Sequence, residues 1–134
     1  MIATKDLHPE AYARLSSTLS LPGNAWALEA PVLGIAIANL SFARNGKHNR
    51  FAQYDTGQAM AHLTVEAQAQ GLNVHQMGGF DAAKATELLQ IPEAHEAIAA
   101  FAIGYAADPN PPAARTRRDL PSTLFVGTFG EAFE

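Results

Sequence analysis

The segment from Gly71 to Asp81 constrains the fold more than any other part of this sequence. Its letters, GLNVHQMGGFD, contain a short apolar strand, two adjacent glycines and an aspartate suited to begin a helix. Gly78 and Gly79 have no Cβ atoms, so a flat ligand can approach the backbone closely at this turn. The free N–H groups of the following helix would point toward the same place. The alternative is an ordinary strand-to-helix turn in which glycine supplies only freedom of φ.

Length, charge and composition narrow the classes of protein to which the chain can belong. A chain of 134 residues has the size of one domain, so we expect a single domain over residues 1–134. The net charge of −4 argues against nucleic acid as a partner. No stretch approaches the roughly 20 apolar residues of a membrane span. The N-terminus has no apolar run long enough for a signal peptide, so we expect a cytoplasmic protein without membrane partners.

Hydrophobic spacing and turn residues divide the chain into alternating helices and strands. Helices are predicted at 8–21, 51–70 and 81–90, and strands at 31–40, 72–77 and 97–105. The strands at 31–40 and 97–105 are nearly continuous apolar runs, which indicates burial on both faces of a sheet. An extended C-terminal arm is predicted at 108–134, with a short strand at 124–129. This order is typical of an α+β or α/β sandwich.

The predicted helix at 51–70 carries apolar and small side chains on more than one of its faces. They include Phe51, Tyr54, Leu63 and Val65 together with several alanines. Such a helix is expected to be covered on several sides, partly by another subunit. Gly71 is well placed to end it in the left-handed conformation.

Several short segments, taken together and in order, resemble the nitroreductase family of FMN-dependent NAD(P)H oxidoreductases. The segments are NAW at 24–26, AP at 30–31, NR at 49–50, YDTGQA at 54–59, GL at 71–72, HQMGGFD at 75–81, LQIP at 89–92, IGY at 103–105 and RTR at 115–117. The resemblance implies an α+β fold, a three-layer sandwich whose central, mainly antiparallel sheet is flanked by helices. It covers the later two-thirds of a family member. Residues 1–5 correspond to a strand, and we expect the chain to lack the N-terminal FMN-binding segment.

The resemblance assigns the flavin ring to the segment with the two glycines. The N–H groups of Gly78 and Gly79 would lie beside the N5 and O4 edge of the ring, where hydrogen-bond donors stabilise negative charge. Gln76 and Met77 would line the ring. His75, just before them, either faces the same cleft or belongs to the structure. No side chain is expected to act as a catalytic nucleophile, because the flavin carries the chemistry.

Two arginines in the C-terminal arm are the predicted ligands of the FMN phosphate. By the resemblance, Arg115 and Arg117 supply the basic side chains, and guanidinium groups suit bidentate phosphate contacts. A solvated basic patch is the alternative, and Arg118 is the expected bystander. Trp26 is expected to be a core or interface residue. No metal site is predicted, because the histidines do not have a metal-binding spacing and the sequence has no cysteine.

Two functions follow from the resemblance, and the sequence leaves both open. The first is an FMN-dependent oxidoreductase that transfers a hydride from NADH or NADPH to a nitroaromatic, a quinone or a similar small-molecule acceptor. The implied assembly is a homodimer with the flavin at the subunit interface, formed largely by helix 51–70 and the C-terminal arm. The second is a truncated, non-catalytic dimerisation or ligand-binding module that no longer holds FMN.

Overall fold

The two long apolar segments form the central strands of an antiparallel sheet. The computed structural model describes residues 1–106 and 116–133. The elements in chain order are β1 (Ile2–Thr4), α1 (Pro9–Ser16), β2 (Val32–Asn39), α2 (Ala52–Ala69), β3 (Asn73–Met77), α3 (Ala82–Leu88) and β4 (His95–Gly104). Two short 3₁₀ helices lie at Ala25–Glu29 and Leu120–Ser122. None of the described helices combines the length and hydropathy needed to cross a membrane.

The strands are arranged in the order β1-β2-β4-β3, and each neighbouring pair is antiparallel. Because β2 and β4 have a strand on each side and helices above and below, both of their faces must be apolar. This explains the continuous apolar runs and confirms the predicted α+β class. Strand β4 begins at His95, two residues earlier than predicted, where its N–H donates to the carbonyl of Pro92 over 2.8 Å.

Over the stretch that pairs with β2, strand β4 contains one residue more than its neighbour. Ile37 pairs with Ala97, whereas the preceding residue of β2 pairs with Ala99, so Ile98 forms a β-bulge. Side chains normally alternate between the two faces of a strand. The extra residue reverses this alternation, and Ala97 and Ala100 therefore lie in the same buried cluster.

Helices cover both faces of the sheet, as predicted for a three-layer sandwich. The cluster on one face joins α1 and α3 to the sheet and includes Leu15, Leu33, Ile35 and Ala85. The cluster on the other face joins α2 to the sheet and includes Ala36, Met60 and Phe101. The sheet is thus the middle layer. Strand β3, which belongs to the segment 71–81, lies at its edge.

Helix α2 matches the predicted helix closely, and Gly71 ends it with a φ of 76°. Within the described chain, burial of α2 is confined to a stripe around Met60. Tyr54 is 68% exposed and Val65 is 70% exposed on its remaining surface. The described chain therefore does not itself cover the additional apolar face.

Helix α1 is shorter than the helix predicted at 8–21. The predicted C-terminal end was wrong. The helix stops at Ser16 because the backbone that follows bonds to the loop after β3. The carbonyl of Thr18 accepts from the N–H of Asp81 at 2.8 Å, and the N–H of Ser20 donates to the carbonyl of Gly79 at 2.9 Å. These long-range bonds replace the local ones that would have continued the helix.

The predicted strand at 124–129 does not form. Phe125 makes an isolated bridge with Ala132, and the chain between them turns back on itself. Gly127 and Gly130 have φ values of 72° and 95°, which belong to turns and not to strands. The part of the predicted arm at 108–115 lies outside the described residues.

Candidate functional site

The turn between β3 and α3 is fixed at its C-terminal end by a helix cap. Asp81 precedes α3 with an extended backbone, and its carboxylate accepts from the N–H of Lys84 at 2.9 Å. This is the N-cap predicted from the sequence. The ammonium group of Lys84 donates to the carbonyl of Ser17 at 2.6 Å, which ties the same helix to the loop after α1.

The two glycine carbonyls are also held in place. The carbonyl of Gly79 accepts from the N–H of Ser20 at 2.9 Å and from Nδ2 of Asn24 at 2.5 Å. The N–H of Phe80 donates to the carbonyl of Gly78 at 3.0 Å. Both carbonyls are therefore occupied, and the peptide planes of the turn are restrained. No sequence pattern indicated the role of Ser20, whereas Asn24 belongs to one of the motif segments.

The N–H groups of Gly78 and Gly79 are left available. Both glycines are exposed, and within residues 1–106 and 116–133 no acceptor bonds to either N–H. A Cβ at Gly78 would meet open space. At Gly79 a Cβ would come within 2.5 Å of Nδ2 of Asn24, so a side chain here would displace the carboxamide of Asn24. The turn thus presents two available donors, and the N–H of Gly79 is restrained because it shares a peptide group with the occupied carbonyl of Gly78.

The predicted ring-lining residues lie on opposite faces of the sheet, because side chains alternate along β3. Gln76 is exposed on the side of α2, and its Nε2 donates to Oγ1 of Thr64 at 3.3 Å. Met77 is 4% exposed and packs in the cluster under α1 and α3. Met77 therefore reaches the turn through its backbone, while its side chain anchors the end of β3.

Trp26 and His75 form one wall of an open cavity of about 410 Å³ beside β3. Trp26 lies on the first 3₁₀ helix and is 46% exposed, and its ring contacts the ring of His75. The rest of the lining is largely apolar and includes Pro31, Ile103 and Tyr105. Small-molecule sites commonly have volumes of roughly 300–1,000 Å³. Trp26 was predicted to be a core or interface residue, and the described chain leaves its ring half open to solvent.

Tyr12 on α1 holds the segment that carries Asn24 and Trp26. Its hydroxyl donates to the carbonyl of Ala30 at 2.7 Å and lies 3.2 Å from that of Leu28. Burial, and secondarily the negative charge of Glu29, raise the pKa of Tyr12 above 10.0. The neutral hydroxyl therefore persists as a donor at physiological pH.

The structure describes only one of the two arginines that were predicted to bind phosphate. Arg115 lies outside the described residues. Arg117 is exposed in the extended segment before the second 3₁₀ helix. Among the hydrogen bonds of the described chain, none joins Arg117 to the glycine turn. The described residues likewise contain no cluster of three or more histidine, aspartate or glutamate side chains arranged to hold a metal ion.

Comparison with known proteins places these features in a family. The chain is 32% identical over 106 residues to an uncharacterized 15.4 kDa protein in the ask 5′ region of Mycolicibacterium smegmatis, covering 77% of this chain and 67% of that protein.

Crystal structures of other proteins share the fold, and two of them illustrate the similarity. One is described as an oxidoreductase containing FMN. The superposition has a TM-score of 0.82 at 26% sequence identity, and it covers 98% of this chain and 71% of the chain of that oxidoreductase. A nitroreductase family protein from Streptococcus pneumoniae TIGR4 gives a TM-score of 0.68 at 16% identity, over 87% of this chain and 73% of its own. The sequence profile of the Nitroreductase family matches residues 3–105. The chain belongs to the Nitroreductase family.

Proposed function

We propose that this chain is a flavoprotein oxidoreductase of the nitroreductase type, with FMN bound against the turn at Gly78 and Gly79. The observation that carries the proposal is the pair of exposed N–H groups without an acceptor among the described residues. The N–H of Gly79 shares a peptide group with the carbonyl of Gly78, which is occupied, so this donor keeps its orientation before a ligand arrives. The N–H of Gly78 directly follows β3, whose last residue, Met77, pairs with β4. Preorganised donors of this kind stabilise negative charge more effectively than flexible ones.

The residues at the turn fit a flat, electron-rich ring. Gly78 leaves its side of the turn open, and the carboxamide of Asn24 packs where Gly79 lacks a side chain. Both N–H groups are donors, which matches the acceptor atoms on the N5 and O4 edge of a flavin. The chemistry that bound FMN supplies is transfer of a hydride between NADH or NADPH and a small acceptor, such as a nitroaromatic or a quinone.

The remaining contacts with FMN are proposed from the family. Gln76 contributes from the exposed side of β3, and Met77 contributes its backbone at the end of the strand. Arg115 and Arg117 bind the phosphate, since bidentate guanidinium contacts suit its oxygens. A crystal structure of a similar protein, described as an oxidoreductase containing FMN, supports FMN as the ligand.

The proposed assembly is a cytoplasmic homodimer with the flavin at the subunit interface. The exposed face of α2, with Tyr54 and Val65, supports this arrangement because the described chain leaves it uncovered. Phe129 and Phe133 of the C-terminal arm are 91% and 48% exposed and support it in the same way. Burial of these side chains against a second copy would remove apolar surface from water.

A titration with FMN tests the proposal. We expect saturable quenching of FMN fluorescence by the purified chain, and a yellow protein that keeps its flavin band through gel filtration. NADH or NADPH should then bleach that band under anaerobic conditions. A chain that stays colourless after incubation with FMN and dialysis would contradict the proposal and would favour the non-catalytic module.

A further inference from the structure

We propose that Asn24 is a positioning residue that strengthens the N–H donor of Gly79 through a chain of hydrogen-bonded peptide groups. Asn24 bonds to the carbonyl of Gly79 and, within the described residues, to neither of the two available N–H groups. The inference rests on the proposed function, because the donor that Asn24 controls is the one assigned to the flavin. It extends that function by naming a residue that would tune the flavin without contacting it.

The chain consists of two hydrogen bonds and ends in a donor that is free within the described part of the protein. Nδ2 of Asn24 donates to the carbonyl of Gly79 at 2.5 Å. The same peptide group carries the N–H of Phe80, which donates to the carbonyl of Gly78 at 3.0 Å. That second peptide group ends in the N–H of Gly79, which is exposed and has no acceptor among the described residues. The carboxamide and the available donor are thus connected through two peptide groups.

Polarisation passes along such a chain. A carbonyl that accepts a hydrogen bond draws electron density from its own amide nitrogen, so the N–H on that nitrogen becomes a stronger donor. Cooperative strengthening of about 10–30% per bond is the usual order of magnitude. The N–H of Ser20 donates to the same carbonyl of Gly79 and acts in the same direction, but it belongs to the backbone and survives substitution.

Asn24 is itself held in position by its backbone. Its N–H donates to the carbonyl of Ser20 at 3.2 Å, and its own carbonyl accepts from Ala27 at 3.0 Å. The carboxamide fills the space in which Gly79 lacks a Cβ. Asparagine at 24 and glycine at 79 therefore form a matched pair, since a side chain at 79 would displace the donor at 24.

A purely structural role for Asn24 makes a different prediction, and Lys84→Ala is the control that separates the two. Lys84 bonds to the carbonyl of Ser17 at 2.6 Å and so ties down the same loop, but it makes no hydrogen bond to either glycine. If Asn24 only fastens the loop, Asn24→Ala and Lys84→Ala should have the same effects on the turn. If it acts through the peptide groups, only Asn24→Ala should weaken the Gly79 donor.

Nuclear magnetic resonance of the chain without FMN provides the first test. In Asn24→Ala we expect the amide proton of Gly79 to move upfield and the amide of Phe80 to exchange about fivefold faster, the factor for loss of about one hydrogen bond. In Lys84→Ala the chemical shift of the Gly79 amide proton and the exchange rate of the Phe80 amide should stay close to those of the unsubstituted chain. Equal changes in the two variants, or no change in Asn24→Ala, would overturn the proposal.

The midpoint potential of bound FMN provides the second test. A weaker donor stabilises the electron-rich reduced FMN less, so the variant loses more affinity for reduced than for oxidised FMN. Asn24→Ala should therefore lower the midpoint potential. If the affinity for reduced FMN falls fivefold more than the affinity for oxidised FMN, the potential falls by about 20 mV for a two-electron couple. Asn24→Asp, which keeps the shape but replaces the donor with a carboxylate, should lower it further. Unchanged potentials in both variants would overturn the proposal. If the unsubstituted chain binds no FMN, the proposed function fails, and the first test still decides the role of Asn24.

Discussion

Trp26 and His75 contact each other edge to face, with ring centroids 4.7 Å apart and ring planes at 70°. This contact joins the first 3₁₀ helix to the edge strand β3. It therefore fixes the position of the helix whose preceding residue, Asn24, bonds to Gly79. Aromatic pairs of this geometry stabilise proteins by about 0.5–1.5 kcal/mol beyond the area that they bury.

A double-mutant cycle measures the contribution of this pair. We expect Trp26→Ala and His75→Ala to destabilise the chain less in combination than the sum of their separate effects, by about 0.5–1.5 kcal/mol. Urea unfolding should be followed by circular dichroism, because Trp26 is the only tryptophan and its substitution removes the fluorescence signal. Strict additivity would mean that the contact contributes nothing to stability.

Gly34→Ala tests the packing between the two central strands. The ring of Phe101 occupies the place of a Cβ at Gly34, and Phe101 is only 3% exposed, so the ring has little freedom to move. Overpacking of this kind costs about 1–3 kcal/mol in the free energy of unfolding. In the background of Phe101→Leu the same substitution should cost less, because the clashing ring atoms are gone. An equal cost in both backgrounds would show that another contact is responsible.

Asp81→Ala tests the cap that begins α3. Loss of the carboxylate bond to the N–H of Lys84 should lower the free energy of unfolding by about 1 kcal/mol, the usual value for an N-cap. Asp81→Asn is the matched control, because asparagine caps helices about as well. Thermal unfolding of the two variants should separate them, and a loss of equal size in Asp81→Asn would point to the charge and not to the cap.

The stability of the chain should fall as the pH rises above 10.0 because of Tyr12. Its pKa in the folded chain is raised, first by burial and then by Glu29, so the unfolded chain loses the phenolic proton at a lower pH than the folded chain. Stability is therefore retained below 10.0 and decreases above it. Tyr12→Phe should flatten this decrease in urea unfolding between neutral and strongly alkaline pH. An identical slope would assign the loss to other groups.

Simultaneous replacement of Arg115 and Arg117 by alanine tests the assignment of the phosphate site. Charged hydrogen bonds are worth about 1.5–3 kcal/mol each, so the double variant should bind FMN more weakly by a few kcal/mol. Arg118→Ala is the matched control from the same basic segment and should leave the affinity close to that of the unsubstituted chain. Fluorescence titration gives all three affinities. Unchanged binding in the double variant would remove both arginines from the site.

The sequence predicted those parts of the fold that depend on local patterns. The apolar runs of β2 and β4, the long helix α2 with its terminal Gly71, and the Asp81 cap all formed close to where they were expected. Their signals lie within a few neighbouring residues. The segment with the two glycines also forms the predicted strand, turn and helix.

The C-terminal end of α1 was mispredicted because distant residues decide it, whereas the strand predicted at 124–129 is prevented by the local turns at Gly127 and Gly130. Nothing near Ser16 in the sequence marks the end of α1, because the competing bonds come from Gly79 and Asp81. For the same reason Asn24 could be recognised as part of a motif but not as the partner of a glycine carbonyl 55 positions away. Gln76 and Met77 stay predicted ring-lining residues, and alternation along β3 places their side chains on opposite faces of the sheet.

The bulge at Ile98 has a consequence for changes in chain length. Removal of one residue from a regular strand turns every following side chain to the opposite face, which a sheet covered on both sides cannot accommodate. Removal of Ile98 would instead make the pairing of β4 with β2 regular, and Ala97 and Ala100 would keep their common face. Ile98 therefore marks a position in the middle of the sheet where a deletion preserves the pattern of inward and outward residues.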